Sequence, residues 1–138
     1  DRCHESIHLL VVDDEKGFVE VLAKRLAKRG IQVAQAYSGS QGIRMLRRSD
    51  FDVALLDLKL EDMDGIEILK IFKKMDPDMP VIMLTGHGSE KASIDGLRHG
   101  AFDYLTKPHE LAELVDKINQ AVRQGKMRSG NHETASGR

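Results

Sequence analysis

Tryptophan is absent, cysteine occurs once, at Cys3, and neither sign of charge predominates. A single cysteine forbids an internal disulfide, so the framework of small secreted domains is excluded and a reducing, cytoplasmic setting is expected. Lys plus Arg number 21 and Asp plus Glu 22, a formal charge of -1. Nucleic-acid phosphates or an anionic membrane surface call for a basic excess, so direct binding to either is not expected. No apolar run approaches the roughly 20 residues of a membrane-spanning helix, and no charged-then-apolar leader opens the chain. The first residue is Asp1 rather than Met, so the chain reads as a fragment, a processed form or a trimmed product.

What is present is the composition of one globular domain: 138 residues, 41% hydrophobic and 31% charged, enough to bury a core. Short aliphatic runs alternate with longer amphipathic stretches. Leu9-Leu10-Val11-Val12, Val53-Ala54-Leu55-Leu56 and Val81-Ile82-Met83-Leu84 read as strands buried on both faces. Ile31 to Ala36 is more polar and reads as an edge strand, and Phe102 to Leu105 as a short fifth one. Phe18, Val21, Leu22 and Leu26 share a helical face ahead of Gly30. Leu111, Leu114, Val115, Ile118 and Val122 form another, with Gly125 behind it as a stop. Ser38 with Gln41 and Asp64 with Glu67 have capping-box spacing and mark two more helix starts. The remaining helix, from near Ser89 to Gly100, has a thin apolar face of Ala92, Ile94 and Leu97 and is expected to be weakly held. Five β-α units imply an α/β fold, a doubly wound five-stranded parallel sheet of flavodoxin-like (βα)5 type, strand order 2-1-3-4-5. The expected division is a lead over 1–7, a domain over 8–123, and a flexible tail or linker over 124–138.

Ligands of open α/β sheets bind at the carboxyl ends of the strands. Here strand 1 ends in Asp13-Asp14, strand 3 in Asp57 and strand 4 in Thr85, while strand 5 runs into Thr106-Lys107-Pro108. Three converging carboxylates repel unless a cation neutralises them, and an all-oxygen site with few protein ligands suits Mg2+ (or Mn2+). A carboxylate beside such a metal can attack a phosphoryl group, with a Lys and a hydroxyl stabilising the phosphoryl oxygens. Singly, these residues have plainer readings. Asp13-Asp14 reads equally well as a helix cap, Lys107-Pro108 as a surface Lys beside a turn, and Tyr104 as a half-buried strand residue.

Taken in order, Asp13-Asp14, Asp57, Asp64-Gly65, Thr85, Tyr104 and Lys107-Pro108 resemble the signature of bacterial two-component response-regulator receiver domains, over about His8 to Val122. The resemblance implies that Asp57 is the phosphoacceptor and that Mg2+ is held by Asp13, Asp14, Asp57 and the backbone carbonyl of Lys59. It implies that Lys107 contacts Asp57 and the phosphoryl group, that Thr85 and Tyr104 act as switch residues, and that the Lys107-Pro108 peptide is cis. Lys59 and His87, two positions after Asp57 and Thr85, are expected to tune phosphoryl lifetime. The implied donor is a phosphohistidine on a sensor histidine kinase or a histidine phosphotransfer protein. Homodimerisation through the fourth helix, fifth strand and fifth helix is a further expectation.

Two positions depart from the pattern: Leu60 and Glu61 stand where members often carry Met-Pro. A looser turn and an added negative charge are expected there. A haloacid dehalogenase-like phosphatase would carry a second Asp two positions after its nucleophile, where this chain has Lys59. A signalling domain rather than a turnover enzyme is therefore expected. A receiver fold used only for protein binding is the third reading, and the intact acidic cluster weighs against it.

Overall fold

The computed structural model describes residues 6–86, 90–107 and 110–136. Cys3, His87, Ser89 and Pro108 lie outside the described residues, so the expectations for His87, for the start of the fourth helix and for the Lys107-Pro108 peptide fall there too. The chain runs β1 (Ile7–Val12), α1 (Lys16–Ala27), β2 (Ile31–Ala36), α2 (Gly39–Arg48), β3 (Val53–Asp57), α3 (Gly65–Met75), β4 (Val81–Thr85), α4 (Glu90–Arg98), β5 (Asp103–Thr106) and α5 (Leu111–Ser136). All strand pairs are parallel, in the expected order β2-β1-β3-β4-β5.

Period-two alternation splits each aliphatic run between two cores. Leu9, Val11, Val53, Leu55, Ile82 and Leu84 pack with Val19, Leu22 and Leu26 of α1 and with Leu114, Ile118 and Val122 of α5. Leu10, Val12, Ala54, Leu56, Val81 and Met83 pack on the other face with Leu46 of α2 and Ile68, Leu69 and Phe72 of α3. Consecutive strand residues thus serve opposite layers, which is why the runs are apolar without a break.

Two boundaries and one helix face differ from the sequence reading. The fifth strand is shifted by one, starting at Asp103 and taking in Thr106. The N–H of Phe102 bonds to the carbonyl of Val81 at 2.8 Å, just ahead of the ladder that pairs Ile82 with Asp103. The stop expected at Gly125 does not occur, and helix replaces the expected patternless tail as far as Ser136. The two interior glycines of α5, Gly125 and Gly130, cost about 1 kcal/mol each in a helix, and no proline follows either. The buried face of α4 is Ser93 and Gly96, not the apolar stripe: Ile94 is 53% and Leu97 41% exposed. A Cβ at Gly96 would collide with the thioether of Met83, so a larger residue there would require the end of the Met83 side chain to move. No described helix is long and apolar enough to cross a membrane.

Candidate functional site

Each chemically loaded residue sits where a buried strand gives way to a loop at the carboxyl edge of the sheet. The Asp13 N–H bonds to the carbonyl of Ala36 at 3.0 Å, continuing the β1–β2 ladder one residue past the strand. Asp57 and Thr85 are the last residues of β3 and β4, and both are buried. The Lys107 N–H bonds to the carbonyl of Thr85 at 2.7 Å, which sets the residue after β5 beside the end of β4.

Carboxylate oxygens of Asp13, Asp14 and Asp57 all lie within 4.8 Å of one another. Asp13 is fully buried and Asp57 is 7% exposed, while Asp14 is half-buried. The cap of α1 is Glu15, and neither Asp13 nor Asp14 caps it, so the plainer reading of that pair fails. Instead Asp13 Oδ1 accepts the Glu15 N–H at 3.0 Å and Oδ2 faces Lys107 Nζ at 3.1 Å. Asp57 Oδ1 accepts the Lys59 N–H at 3.0 Å, and its Oδ2 lies 3.5 Å from Lys107 Nζ.

The Asp57 carboxyl is held up at about 6 against an ordinary 3.8, and burial is the largest influence on it. The Lys59 N–H and the Lys107 charge pull it down, and the neighbouring Asp13 pushes it further up. Burial alone would lower Lys107. Its hydrogen bonds to Glu15 and Asp13, with the charges of Asp13 and Asp57, outweigh burial and hold the ammonium above its ordinary value. Lys107, the cation in contact with these carboxylates, is thus firmly charged, while the central carboxylate is poorly stabilised as an anion. A hard divalent cation would relieve that imbalance, and the donors, all carboxylate oxygens, fit one.

Thr85 Oγ1 donates to the carbonyl of Leu105 at 3.4 Å. Tyr104 is half-buried and packs against the core face that carries Met83. The Lys59 side chain is exposed beside the site. Gly65 opens α3 against the backbone of Leu58, where a Cβ would meet Leu58 Cα at 2.5 Å. The glycine after Asp64 therefore answers a close approach next to Asp57 as well as a helix start.

Sequence reasoning missed three residues. Glu15 Oε1 accepts from Lys107 Nζ at 3.0 Å, and the Phe18 ring centroid lies 4.9 Å from the same nitrogen. The run Asp13-Asp14-Glu15 hinted at a third acid, but nothing local joins it to Lys107. Asp62 ties the loop after β3 to the start of α2, accepting from Gly39 N at 2.9 Å, Ser40 N at 3.1 Å and Ser40 Oγ at 3.0 Å.

Comparison with known proteins places these residues in context. Residues 9–119 match the response regulator receiver domain family. The transcriptional regulatory protein GlrR of Escherichia coli is 39% identical over 121 residues, 88% of this chain and 27% of that protein. The transcriptional regulatory protein YkoG of Bacillus subtilis is 37% identical over 120 residues, 87% of this chain and 53% of that one. This chain therefore spans about a quarter of the first relative (27%) and about half of the second (53%). Among solved structures, a CheY-like receiver domain protein from Methanospirillum hungatei superposes with a TM-score of 0.85 at 31% identity, covering 90% of this chain and 99% of that one. NtrX of Brucella abortus in complex with ADP gives 0.89 at 26% identity, covering 94% of this chain and 30% of that one.

Proposed function

This chain belongs to the response regulator receiver domain family, a signalling domain of two-component systems, and from that premise we propose that it is a phosphorylation switch with Asp57 as phosphoacceptor. The observation that carries the proposal is the convergence of Asp13, Asp14 and Asp57 within 4.8 Å, with Lys107 as the neutralising cation. The donor is a phosphohistidine of a sensor histidine kinase or a histidine phosphotransfer protein. An Asp57 carboxylate oxygen forms the new O–P bond as the P–N bond breaks, and the imidazole nitrogen keeps the electron pair.

Asp13, Asp14, Asp57 and the carbonyl of Lys59 would hold Mg2+ or Mn2+, which when bound supplies charge neutralisation for the acids and for the phosphoryl oxygens. The protein's own part is to present the Asp57 oxygen from a rigid strand end and to exclude water around it. Lys107 adds an ammonium donor to the phosphoryl oxygens. The Thr85 hydroxyl, bonded to Leu105 in the unphosphorylated protein, turns to the phosphoryl group, and Tyr104 follows inward. Lys59 and His87 tune the lifetime of the acyl phosphate. The shifted population re-forms the face of α4, β5 and α5, through which the chain dimerises.

At the scale of the whole protein, the chain is the receiver, over residues 8–123, of a longer cytoplasmic regulator of transcription, and the residues after it lead toward the output domain. The length of its relatives supports this.

The test is incubation with acetyl phosphate, with and without Mg2+, followed by intact mass. One added phosphoryl group is expected with metal only, and none in Asp57→Asn. Uptake by Asp57→Asn at the wild-type level would remove Asp57 from the role.

A further inference from the structure

We infer that Glu15 is a positioning residue that holds the Lys107 ammonium off Asp57 and so limits how tightly the site grips a phosphoryl group; this rests on Asp57 being the phosphoacceptor. Three carboxylates compete for one ammonium. Lys107 Nζ lies 3.0 Å from Glu15 Oε1, 3.1 Å from Asp13 Oδ2 and 3.5 Å from Asp57 Oδ2. The shortest contact goes to the one acid that is not among the three converging carboxylates. The Phe18 ring, 4.9 Å away, flanks the same nitrogen.

Glu15 owes its place to the turn that opens α1. It is the extended N-cap residue, with φ -85° and ψ 90°, and its N–H is bonded to Asp13 Oδ1. That backbone bond is independent of the side chain, so a substitution at 15 leaves the support of Asp13 intact. The Glu15 side chain is 64% exposed and that of Lys107 25%. A pair of that exposure changes an equilibrium a few-fold, enough to tune the site and too little to disable it.

Phosphoryl transfer raises the negative charge at Asp57 from about one unit to about two. The ammonium is then drawn toward the phosphoryl oxygens and must give up part of its hold on Glu15. The Glu15–Lys107 pair therefore stabilises the empty site against the loaded one. Glu15 also repels a phosphoryl anion directly through its charge, an effect that does not need Lys107. A double-mutant cycle separates the two.

The experiment uses fluoroberyllate, a phosphoryl mimic, titrated at saturating Mg2+ into the full chain and followed by backbone amide NMR. Wild type, Glu15→Gln, Lys107→Ala and the double variant are compared. Glu15→Gln is expected to bind about threefold tighter, and most of that gain is expected to vanish in the Lys107→Ala background. A second measurement needs no variant at 107 and no ligand: 13C relaxation of Lys107 Cε in chelator, where Glu15→Gln is expected to raise side-chain mobility. Unchanged affinity or unchanged mobility in Glu15→Gln overturns the inference, as does an equal gain with and without Lys107. If wild type does not bind fluoroberyllate at all, the phosphoacceptor reading falls first and this inference with it.

Discussion

The role proposed for Asp57 sets two opposed demands, since a carboxylate that attacks phosphorus must be an anion and burial here disfavours the anion. Its folded value of about 6 exceeds the ordinary 3.8, so the folded chain binds that proton more tightly than the unfolded chain does. The stability so gained is complete below the unfolded value and is lost as pH rises through the folded one. With metal chelated, wild type is therefore expected to lose stability between about pH 4 and about pH 6, and this group costs no more above that. Asp57→Asn removes the penalty. It is predicted to be more stable than wild type by roughly 1–3 kcal/mol at neutral pH and to converge with it below about pH 4. Urea unfolding in chelator at both pH values checks this, and a gap that ignores pH would assign the gain to something other than the carboxyl. The same reasoning explains why Lys107 stays charged: it faces three acids, and losing its proton would leave all of them unopposed.

At the scale of elements, the loop from β3 to α3 is tied down by a side chain. Leu60 and Glu61 leave it without the fixed φ of a Pro at the second position. Asp62 ties the loop down, accepting two backbone N–H groups and one hydroxyl at the start of α2. Its position at a helix N-terminus also suits a negative charge. Those bonds, from Gly39 first and then Ser40, hold the Asp62 carboxyl below its ordinary value. The sign is opposite to that of Asp57: the stability is present above the unfolded value of 3.8 and is lost as pH falls through the folded one. Asp62→Ala is predicted to cost about 1 kcal/mol at neutral pH, with the difference from wild type fading below about pH 4. Thermal unfolding of the pair across that range tests it, and a constant difference would point to packing rather than to the charged cap.

Across the whole molecule, one helix packs on the sheet without contributing to either core. No described α4 side chain belongs to either core cluster, and the helix rests on Ser93 and Gly96. Its larger apolar side chains, Ile94 and Leu97, face outward at 53% and 41% exposure. An apolar pair turned to solvent on that helix is what the proposed dimer face needs. Fluoroberyllate with Mg2+ is predicted to shift the chain toward a dimer in light scattering. Ile94→Asp is expected to weaken that dimer at least tenfold without changing phosphoryl uptake. A dimer indifferent to this substitution would move the contact to another face.

The aliphatic runs, the capping residues and the alternation of strand with helix are short-range signals. By themselves they determined five β-α units, a doubly wound parallel sheet and the placing of Asp13, Asp14, Asp57 and Thr85 at strand ends, because parallel topology turns every strand end to one edge. The tertiary structure alone decided the rest. Glu15 meets Lys107 across 92 residues, and Asp62 meets Gly39 and Ser40 across 23 and 22, distances over which no periodicity carries information. The face that α4 buries depended on how near β4 approaches, so a serine and a glycine prevailed over the apolar stripe. The run of α5 through Gly125 and Gly130 turned on penalties of about 1 kcal/mol each, with no proline nearby to end the helix. Pattern sets which residues become strand, helix or turn, whereas the partners of a charge are set by the folding of distant segments into contact.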